Sequence, residues 1–321
     1  MKTNNMIDIS IVIVCMNNLK NLYPCLNSIR RYTRVSYETL VVAYLFSKEN
    51  LEKVKHDFPW VTFIESNEIR GFSENNNLAL RQAKGKFCFV LNDDTYFDNP
   101  VIDKLFQTFN SLSNDVAILS PVTLNVDGSI QRNGKPKYNL FTFFLDNVKL
   151  IKYYDRFSRF TNRKGIYQTY NISGAAFMIR RDVFKNVGWF DEQYFFCPED
   201  IALSTLLNKQ GHKCYVDAKI RLTHNKGGTW SKIHSATMPS ATKGNMIFYC
   251  KNNLLKKLIF LTIVYLFHSL YGVLWYIIYV MRTTEKSRIM YHAHVNTIQS
   301  IGTSLTPKQI FVKYYKRLNE R

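Results

Sequence analysis

An apolar segment followed at once by polar and acidic residues is the part of the sequence best suited to chemistry. Phe87–Leu91 is a run of strand-forming residues, and Asn92, Asp93 and Asp94 follow it directly. A strand that ends in adjacent acids places them at the carboxyl edge of a sheet, where open α/β folds bind ligands. Carboxylate and amide oxygens there suit a hard divalent cation that also contacts phosphate oxygens. An ordinary Asn/Asp-rich turn would explain the same three residues, so the rest of the chain has to decide between the two.

Two further positions combine a reactive side chain with a defined place in the chain. Glu199 and Asp200 open a predicted helix from Ile201 to Lys209, which Gly211 ends. An acidic pair in a first turn complements the helix dipole, but a carboxylate held there can also act as a general base. His224 ends a predicted strand, where a histidine is either an ordinary strand-end residue or a metal ligand.

Alternating strands and helices over the first hundred residues would position these side chains. The β-branched run Ile9–Cys15 predicts a buried first strand, and Leu19–Arg31 carries apolar residues at helical spacing. Further strands are predicted at 39–45, 61–64 and 87–91, and helices at 51–58, 74–84 and 100–112. This order predicts an α/β fold with a mostly parallel, doubly wound sheet flanked by helices.

The second hundred residues begin with less regular sequence. Asn125–Tyr138 contains two glycines and a proline and is predicted to be a loop. The aromatic and basic span Phe141–Tyr170 fits either a mobile lid or an insertion that binds an acceptor. Structure is predicted to resume at Asn171–Arg180, and two short strands are predicted between residues 215 and 223.

Composition limits the class of partner. The 321 residues carry a net charge of +19, which favours an anionic partner such as phosphorylated substrates, a membrane surface or nucleic acid. From Leu254 onward ten Lys/Arg face two Glu, in the same region as the longest apolar run, and this combination favours a membrane surface over nucleic acid. The six cysteines are scattered, which predicts reduced thiols and a chain whose bulk remains in the cytoplasm.

The apolar run Leu258–Met281 has 24 residues without a formal charge, enough to span a bilayer. His268 and Gly272 interrupt its centre, and basic residues flank both of its ends, so we expect an in-plane helix or a hairpin on the cytoplasmic face. A buried core helix or a dimer interface is the alternative. We therefore divide the chain into residues 1–250 and a basic, apolar, helical tail at 251–321 that associates with a membrane.

These pieces in this order resemble the family-2 glycosyltransferases of the GT-A fold, above all the rhamnosyltransferase-like members that build bacterial surface polysaccharides. The resemblance covers roughly residues 8–230 and rests on several short motifs. The matching residues are Asn17 after the first strand, Gly71-Phe72 with Asn76-Asn77, Asn92-Asp93-Asp94, Gly174-Ala175 with Phe190-Asp191-Glu192, Glu199-Asp200, and His224 with Gly227-Gly228.

The resemblance implies a role for each motif. Residues 1–125 would form the nucleotide-sugar half and residues 126–250 the acceptor half. Donor-binding roles fall on Asn17, Gly71, Phe72, Asn76, Asn77, Asn92 and Asp93. Asp94 and His224 would hold a divalent metal, Mg²⁺ or Mn²⁺, and Gly174, Asp191 and Glu192 would lie on the acceptor side. Asp200, paired with Glu199, would be the general base.

The sequence departs from the family pattern at two places. The second strand of the family commonly ends in an Asp that reads the base, whereas Ala43 stands at that position here. The base would then be recognised through backbone groups. After Glu199-Asp200 the family often continues with an acid and an arginine, but this chain has Ala202 and Leu206, which indicates a different acceptor subsite.

The function that we expect is inverting transfer of a sugar from a nucleotide-sugar donor to a lipid-linked saccharide acceptor at the cytoplasmic face of a membrane. A metal-dependent nucleotidyltransferase would use acids at a sheet edge equally well. A non-catalytic binding protein on the same fold is a second alternative, to which Ala43 gives some support. Nucleic acid is not expected as a partner, because the basic residues form no recognisable binding motif.

Overall fold

The computed structural model describes residues 7–131, 133–225 and 233–319. Within them, the strands form one mixed sheet. They are β1 (Ile9–Met16), β2 (Tyr37–Tyr44), β3 (Thr62–Ser66), β4 (Phe87–Asn92), β5 (Thr95–Tyr96), β6 (Val116–Leu124), β7 (Ile166–Thr169), β8 (Ala176–Arg180) and β9 (Lys213–His224). The helices are α1 (Leu19–Tyr32), α2 (Lys48–Asp57), α3 (Phe72–Leu80), α4 (Val101–Ser111), α5 (Leu140–Asn147), α6 (Ile151–Arg156), α7 (Arg181–Asn186), α8 (Glu199–Lys209), α9 (His234–Cys250), α10 (Leu254–Arg282), α11 (Glu285–Ile301) and α12 (Pro307–Asn319).

The sheet has the strand order β3-β2-β1-β4-β8-β6-β9, with β5 and β7 pairing to β9. Strands β1 to β4 are mutually parallel, and β6 and β9 form a second parallel pair. Strand β8 lies between these two groups and is antiparallel to both of its neighbours. The predicted α/β class with helices on both faces of the sheet is confirmed, and β8 marks the change from the first parallel group of strands to the second.

Strand β1 lies between β2 and β4 in the first group, and both of its faces are buried. Ile9, Ile11 and Ile13 are fully buried on the face that α1 and α4 cover. Val12, which points the opposite way, packs in a second cluster with residues of α3 and α8. Period-two alternation between two covered faces explains why the strand reads as a continuous β-branched run.

Two regions differ from the sequence-based expectations. Residues 213–224 form one twelve-residue strand, whereas two short strands were expected. A register shift opposite Pro121 and Val122 keeps β9 paired to β6, and the buried Asp217 accepts hydrogen bonds there from Lys219 N and Thr108 Oγ1. The span 141–170, which had no clear pattern, contains most of α5, all of α6 and strand β7.

The C-terminal helices pack on one another and on the sheet domain. Helices α10 and α11 are joined by two residues and form a hairpin, against which α9 packs. From α12, Phe311 packs on Phe195 with ring centroids 4.8 Å apart, and Lys308 Nζ lies 2.7 Å from Glu74 Oε1 at the start of α3. The helical packing therefore runs across residue 250, and the 250/251 division stays a prediction.

Helix α10 carries most of the exposed apolar surface of the C-terminal region. Its buried residues Phe260, Val264, His268 and Gly272 recur every four positions and form one stripe against neighbouring helices. The other faces are apolar and exposed, as at Leu266, which is 61% exposed. Within the described residues, α10 is the one helix that is long and apolar enough to cross a membrane, judged by length and composition alone.

Gly71 lies where α3 approaches the loop before α8 most closely. A Cβ atom at this position would lie 2.4 Å from the Phe195 carbonyl oxygen. Phe72 N donates a hydrogen bond to that same oxygen at 3.0 Å, and Gly71 N donates to Glu74 Oε2 at 2.8 Å. The glycine therefore allows the start of α3 to dock on the loop.

Substituting Gly71 by alanine is expected to lower the free energy of unfolding by about 1–3 kcal/mol, because two backbone segments must move apart. Gly174→Ala is the matched control, since its Cβ would meet Asp200 Cβ at an ordinary 3.5 Å. Urea denaturation of both variants checks the prediction. Equal losses in the two proteins would contradict it.

Candidate active site

The end of β4 and the end of β9 meet at one edge of the sheet. Thr95 of β5 pairs with His224, and Asn225 N donates to the Asp94 carbonyl oxygen at 2.8 Å. This pairing brings His224 Nε2 to 3.2 Å from Asp94 Oδ1 and to 3.5 Å from Asn92 Nδ2. The sheet therefore brings His224 next to Asn92 and Asp94, which precede it by about 130 positions in the sequence.

Gln131 fixes the orientation of the His224 ring. Its Nε2 donates to the carbonyl oxygens of Leu124 and His224, which leaves its Oε1 facing His224 Nδ1 at 3.0 Å. With the amide assigned in this way, Nδ1 carries a proton and donates a hydrogen bond to Gln131 Oε1. The other ring nitrogen, Nε2, then points at Asp94.

The side chains at this edge fit a divalent cation. Asp94 Oδ1 is buried and accepts no hydrogen bond from any residue that the structure describes. This oxygen faces Nε2 of His224, and the other ring nitrogen, Nδ1, already donates to Gln131. If the ring were neutral, Nε2 would carry only a lone pair, and two hydrogen-bond acceptors would face each other. A proton or a metal ion between them removes that conflict. Since no group of three or more His, Cys, Asp or Glu suited to a metal occurs in the described residues, a bound ion would also need Asn92 or ligand oxygens.

Asp93 points to the other side of the β4 end, towards Cys15 of β1. Burial, together with the neighbouring Asp94 carboxylate, raises the pKa of Asp93 to about 7, while a hydrogen bond with Cys15 opposes the shift. Asp93 and Asp94 are therefore adjacent in sequence but lie in different surroundings, and Asp94 is the one that meets His224.

Asp200 lies in the first turn of α8 and is held by three groups. Its Oδ2 accepts a hydrogen bond from Gly174 N at 3.0 Å, and its Oδ1 accepts one from Ile201 N at 2.8 Å. Lys135 Nζ lies 3.6 Å from Oδ2, and both of these side chains are 14% exposed. The carboxylate is thus fixed and paired with one ammonium group, yet still reachable.

The dipeptide Gly174-Ala175 connects Asp200 to the end of β4. Asn92 N donates to the Ala175 carbonyl oxygen at 2.9 Å, while Gly174 N donates to Asp200. Ala175 is followed directly by β8, the antiparallel neighbour of β4. Two backbone hydrogen bonds on consecutive residues therefore set the position of the acid at α8 relative to the Asn92–Asp94 turn.

Glu199 is buried beside Asp200. The residue is 8% exposed, and its Oε2 accepts no hydrogen bond within the described part of the chain. Burial, together with the Asp200 charge, raises the pKa of Glu199 well above its usual range. Burial therefore favours the protonated, neutral form of Glu199 beside Asp200.

The remaining predicted residues lie around this centre. Asn17, with φ of 47°, follows β1, and its Oδ1 accepts a hydrogen bond from Asn50 Nδ2 at 2.9 Å. Asn76 and Asn77 are buried, and the Asn77 amide binds the Phe190 carbonyl oxygen and Glu192 Oε1. The predicted donor-side α3 thus contacts the predicted acceptor-side loop. Contacts of Asn17, Gly71, Phe72, Asn76 and Asn77 with a donor stay a prediction.

Two residues of the site were not found by sequence reasoning. Gln131 and Lys135 both lie in the loop-like span 125–138. Gln131 is only 5% exposed, but the span has no hydrophobic periodicity from which this burial could be predicted. Their partners, His224 and Asp200, are 93 and 65 positions away in sequence. Gly227 and Gly228, which were expected beside His224, lie outside the described residues.

A family model described as glycosyl transferase family 2 matches residues 10–188. This match covers more than half of the chain and includes the β4 edge and the Gly174-Ala175 link. The chain belongs to glycosyl transferase family 2. The expectation drawn from the motifs is confirmed at this level.

Curated relatives of the family-2 chain come from glycan synthesis. It is 25% identical over 155 residues to the O-antigen biosynthesis protein RfbC of Myxococcus xanthus, covering 48% of this chain and 12% of RfbC. It is 25% identical over 202 residues to the low-salt glycan biosynthesis hexosyltransferase Agl10 of Haloferax volcanii, covering 60% of this chain and 59% of Agl10. An N-acetylglucosaminyl-diphospho-decaprenol L-rhamnosyltransferase of Mycobacterium tuberculosis is 30% identical over 77 residues, 24% of this chain and 25% of the relative. The chain thus spans less than two thirds of the length of each relative.

Solved structures confirm the GT-A fold of this family-2 chain. GalNAc-T7, crystallised with UDP, GalNAc and Mn²⁺, superposes with a TM-score of 0.54 at 17% identity over 70% of this chain and 44% of that one. The mannosyltransferase PcManGT of Pyrobaculum calidifontis, in complex with GDP-Man and Mn²⁺, gives a TM-score of 0.52 at 12% identity. That match covers 90% of this chain and 86% of PcManGT.

The buried Glu199 makes the stability of the protein depend on pH. Because its pKa is higher in the folded than in the unfolded chain, the stability that the protonated form contributes is complete at low pH and is lost as the pH rises through the folded pKa. Glu199→Gln cannot ionise, so it should gain stability relative to the wild type between about pH 5 and about pH 9.

Urea denaturation at a series of pH values measures this difference. Glu52→Gln, at an exposed position of α2, is the control, and its difference from the wild type should stay constant over that range. A constant difference for Glu199→Gln as well would show that Glu199 is ionised in the folded protein.

Proposed function

We propose that the protein is an inverting glycosyltransferase that moves a sugar from a nucleotide-sugar donor to a lipid-linked saccharide acceptor in cell-surface polysaccharide synthesis. The observation that supports this proposal is the pair of hydrogen bonds at Gly174 and Ala175, which link Asp200 to the Asn92–Asp94 turn through two consecutive residues. One carboxylate next to a phosphate-binding edge is what inverting transfer requires, since the acceptor must attack opposite the departing diphosphate.

Asp200 is the proposed general base. Gly174 N and Ile201 N hold its two oxygens, so the carboxylate would meet an acceptor hydroxyl without first reorienting. The Lys135 ammonium lies 3.6 Å from Asp200 Oδ2 and would balance the charge of the carboxylate, and burial, which favours the neutral form of Glu199, avoids a second negative charge beside it. The proton of the acceptor hydroxyl would move to Asp200 as the new glycosidic bond forms.

Asp94, His224 and Asn92 are the proposed holders of Mg²⁺ or Mn²⁺, which would neutralise the charge that builds up on the leaving diphosphate. Support comes from the buried Asp94 Oδ1, which no described residue satisfies, and from the orientation that Gln131 imposes on His224. Both structural neighbours were solved with Mn²⁺ and a nucleotide. Asn17 and Asp93 would lie on the donor side of the same edge.

The proposed acceptor is carried on a lipid at the cytoplasmic face of a membrane, where α10 would anchor the protein as part of a hairpin or in the membrane plane. Helix α10 packs on α5 through its buried stripe, where the rings of Phe143 and Phe260 stack at 4.4 Å, and its other faces are apolar and exposed. Next to α5, the basic helix α6 exposes Tyr153, and Phe157 after it is 83% exposed. Apolar and basic residues on one side of the protein suit an anionic membrane surface.

Substituting Asp200 by asparagine tests the proposed base. The amide keeps an oxygen for Gly174 N but cannot take the proton, so turnover should fall at least about a hundredfold while the affinity for the donor stays unchanged. Transfer is measured from UDP-, dTDP- and GDP-sugars to sugar-bearing polyprenyl diphosphates in vesicles, with Mn²⁺ present.

Asp115→Asn is the control, because Asp115 is a surface carboxylate paired with Lys213 and lies in the loop before β6. Its turnover should equal that of the wild type. Wild-type turnover by Asp200→Asn would remove Asp200 as the base and with it the proposed mechanism.

A further inference from the structure

A large groove lies on the side of α8 that faces the C-terminal helices. Its walls are α8 on one side and the end of α9 with the start of α10 on the other, and its volume is about 1390 Å³. This exceeds the roughly 300–1,000 Å³ of ordinary small-molecule pockets. The groove therefore has room for an extended occupant.

Four lysines gather at the end of the groove next to α10. Lys209 closes α8, Lys251 follows α9, and Lys256 and Lys257 lie in the first turn of α10. All four are exposed, and none forms an ion pair with a carboxylate among the residues described. Contact with the neighbouring Lys251 ammonium lowers the pKa of Lys209. Such a cluster favours a compact ligand with more than one negative charge.

The apolar surface that begins beside these lysines indicates what the anion is attached to. Leu254 and Leu255, the first two residues of α10, are 70% and 66% exposed, and Leu258 one turn later is 55% exposed. An anion on a lipid would place its charge at the lysines and its hydrocarbon chain along α10. A free anion would leave the apolar surface uncovered.

The groove runs along the helix that carries the proposed base. Helix α8 forms its wall from Ala202 to Lys209, and Asp200 lies at the other end of that helix, about 14 Å away along its axis. This separation leaves room for a saccharide between an anion at the lysines and a hydroxyl at Asp200. Asp191 and Glu192 also line the groove, and Glu192 is paired with Arg81.

We propose that Lys209, Lys251, Lys256 and Lys257 bind the diphosphate of the lipid-linked acceptor, whose saccharide lies in the groove along α8. The inference rests on the proposed function for the identity of the ligand. It assigns to this chain an acceptor subsite in the region where Ala202 and Leu206 replace the usual polar residues.

Neutralising two of the lysines tests the subsite. The full-length Lys209→Gln/Lys251→Gln variant should bind phosphatidylcholine vesicles that contain a polyprenyl diphosphate about 30-fold more weakly than the wild type. The Lys53→Gln/Lys185→Gln variant, which removes the same charge from exposed positions on α2 and α7, should bind as the wild type does. The pair Lys256→Gln/Lys257→Gln gives a second measurement if the first variant has a lowered melting temperature.

Vesicles with phosphatidylglycerol at matched surface charge distinguish a diphosphate site from a general attraction to anionic lipid. The proposal expects the loss to be at least tenfold larger for the polyprenyl diphosphate vesicles. An equal loss on both vesicles, or no loss beyond that of the control variant, would overturn it. Mn²⁺-dependent binding of nucleotide is measured on the same proteins and should be unchanged. Its absence in the wild type would contradict the proposed function while leaving the lipid result intact.

Discussion

The two hydrogen bonds of Gly174 and Ala175 are the constraint on which the candidate site depends. The turn after β4 cannot move relative to the start of α8 without breaking one of them. Strand β8 continues from this dipeptide between β4 and β6, so the sheet itself fixes where the dipeptide lies. Because β8 is inserted between β4 and β6, the dipeptide before it links Asp200, from the second half of the chain, to the end of β4 in the first half.

Most buried acidic groups of the candidate site either have a basic side chain nearby or favour their neutral form. Asp200 has Lys135, and Glu199 avoids ionisation because burial and the Asp200 charge raise its pKa. Asp94 and His224 are the exception: a buried carboxylate oxygen faces a ring nitrogen, and Gln131 prevents the ring from turning its protonated nitrogen towards the acid. A cation between the two would stabilise this arrangement, which is why the proposed metal site lies here and not beside Asp200.

Much of the sheet could be predicted from sequence because its strands are buried on both faces and read as apolar runs, as in Ile9–Met16 and Phe87–Asn92. The acids at strand and helix ends could be found for the same reason, since they stand where those runs stop. Gln131 and Lys135 could not, because an isolated polar residue in a loop gives no sign of its burial or of a partner far along the chain. The return of α12 to the sheet domain was missed as well, since the contacts of Phe311 and Lys308 depend on tertiary structure alone.

The central claim is that the β4 edge holds a divalent cation together with a nucleotide diphosphate. The most direct measurement is calorimetric titration of UDP, dTDP and GDP into the wild type and Asp94→Asn, each with Mn²⁺ and with chelator. Binding of one nucleotide by the wild type only when Mn²⁺ is present, and its loss in Asp94→Asn, is the predicted result. Equal Mn²⁺-dependent affinity in the two proteins would contradict the assignment of Asp94 and the site built around it.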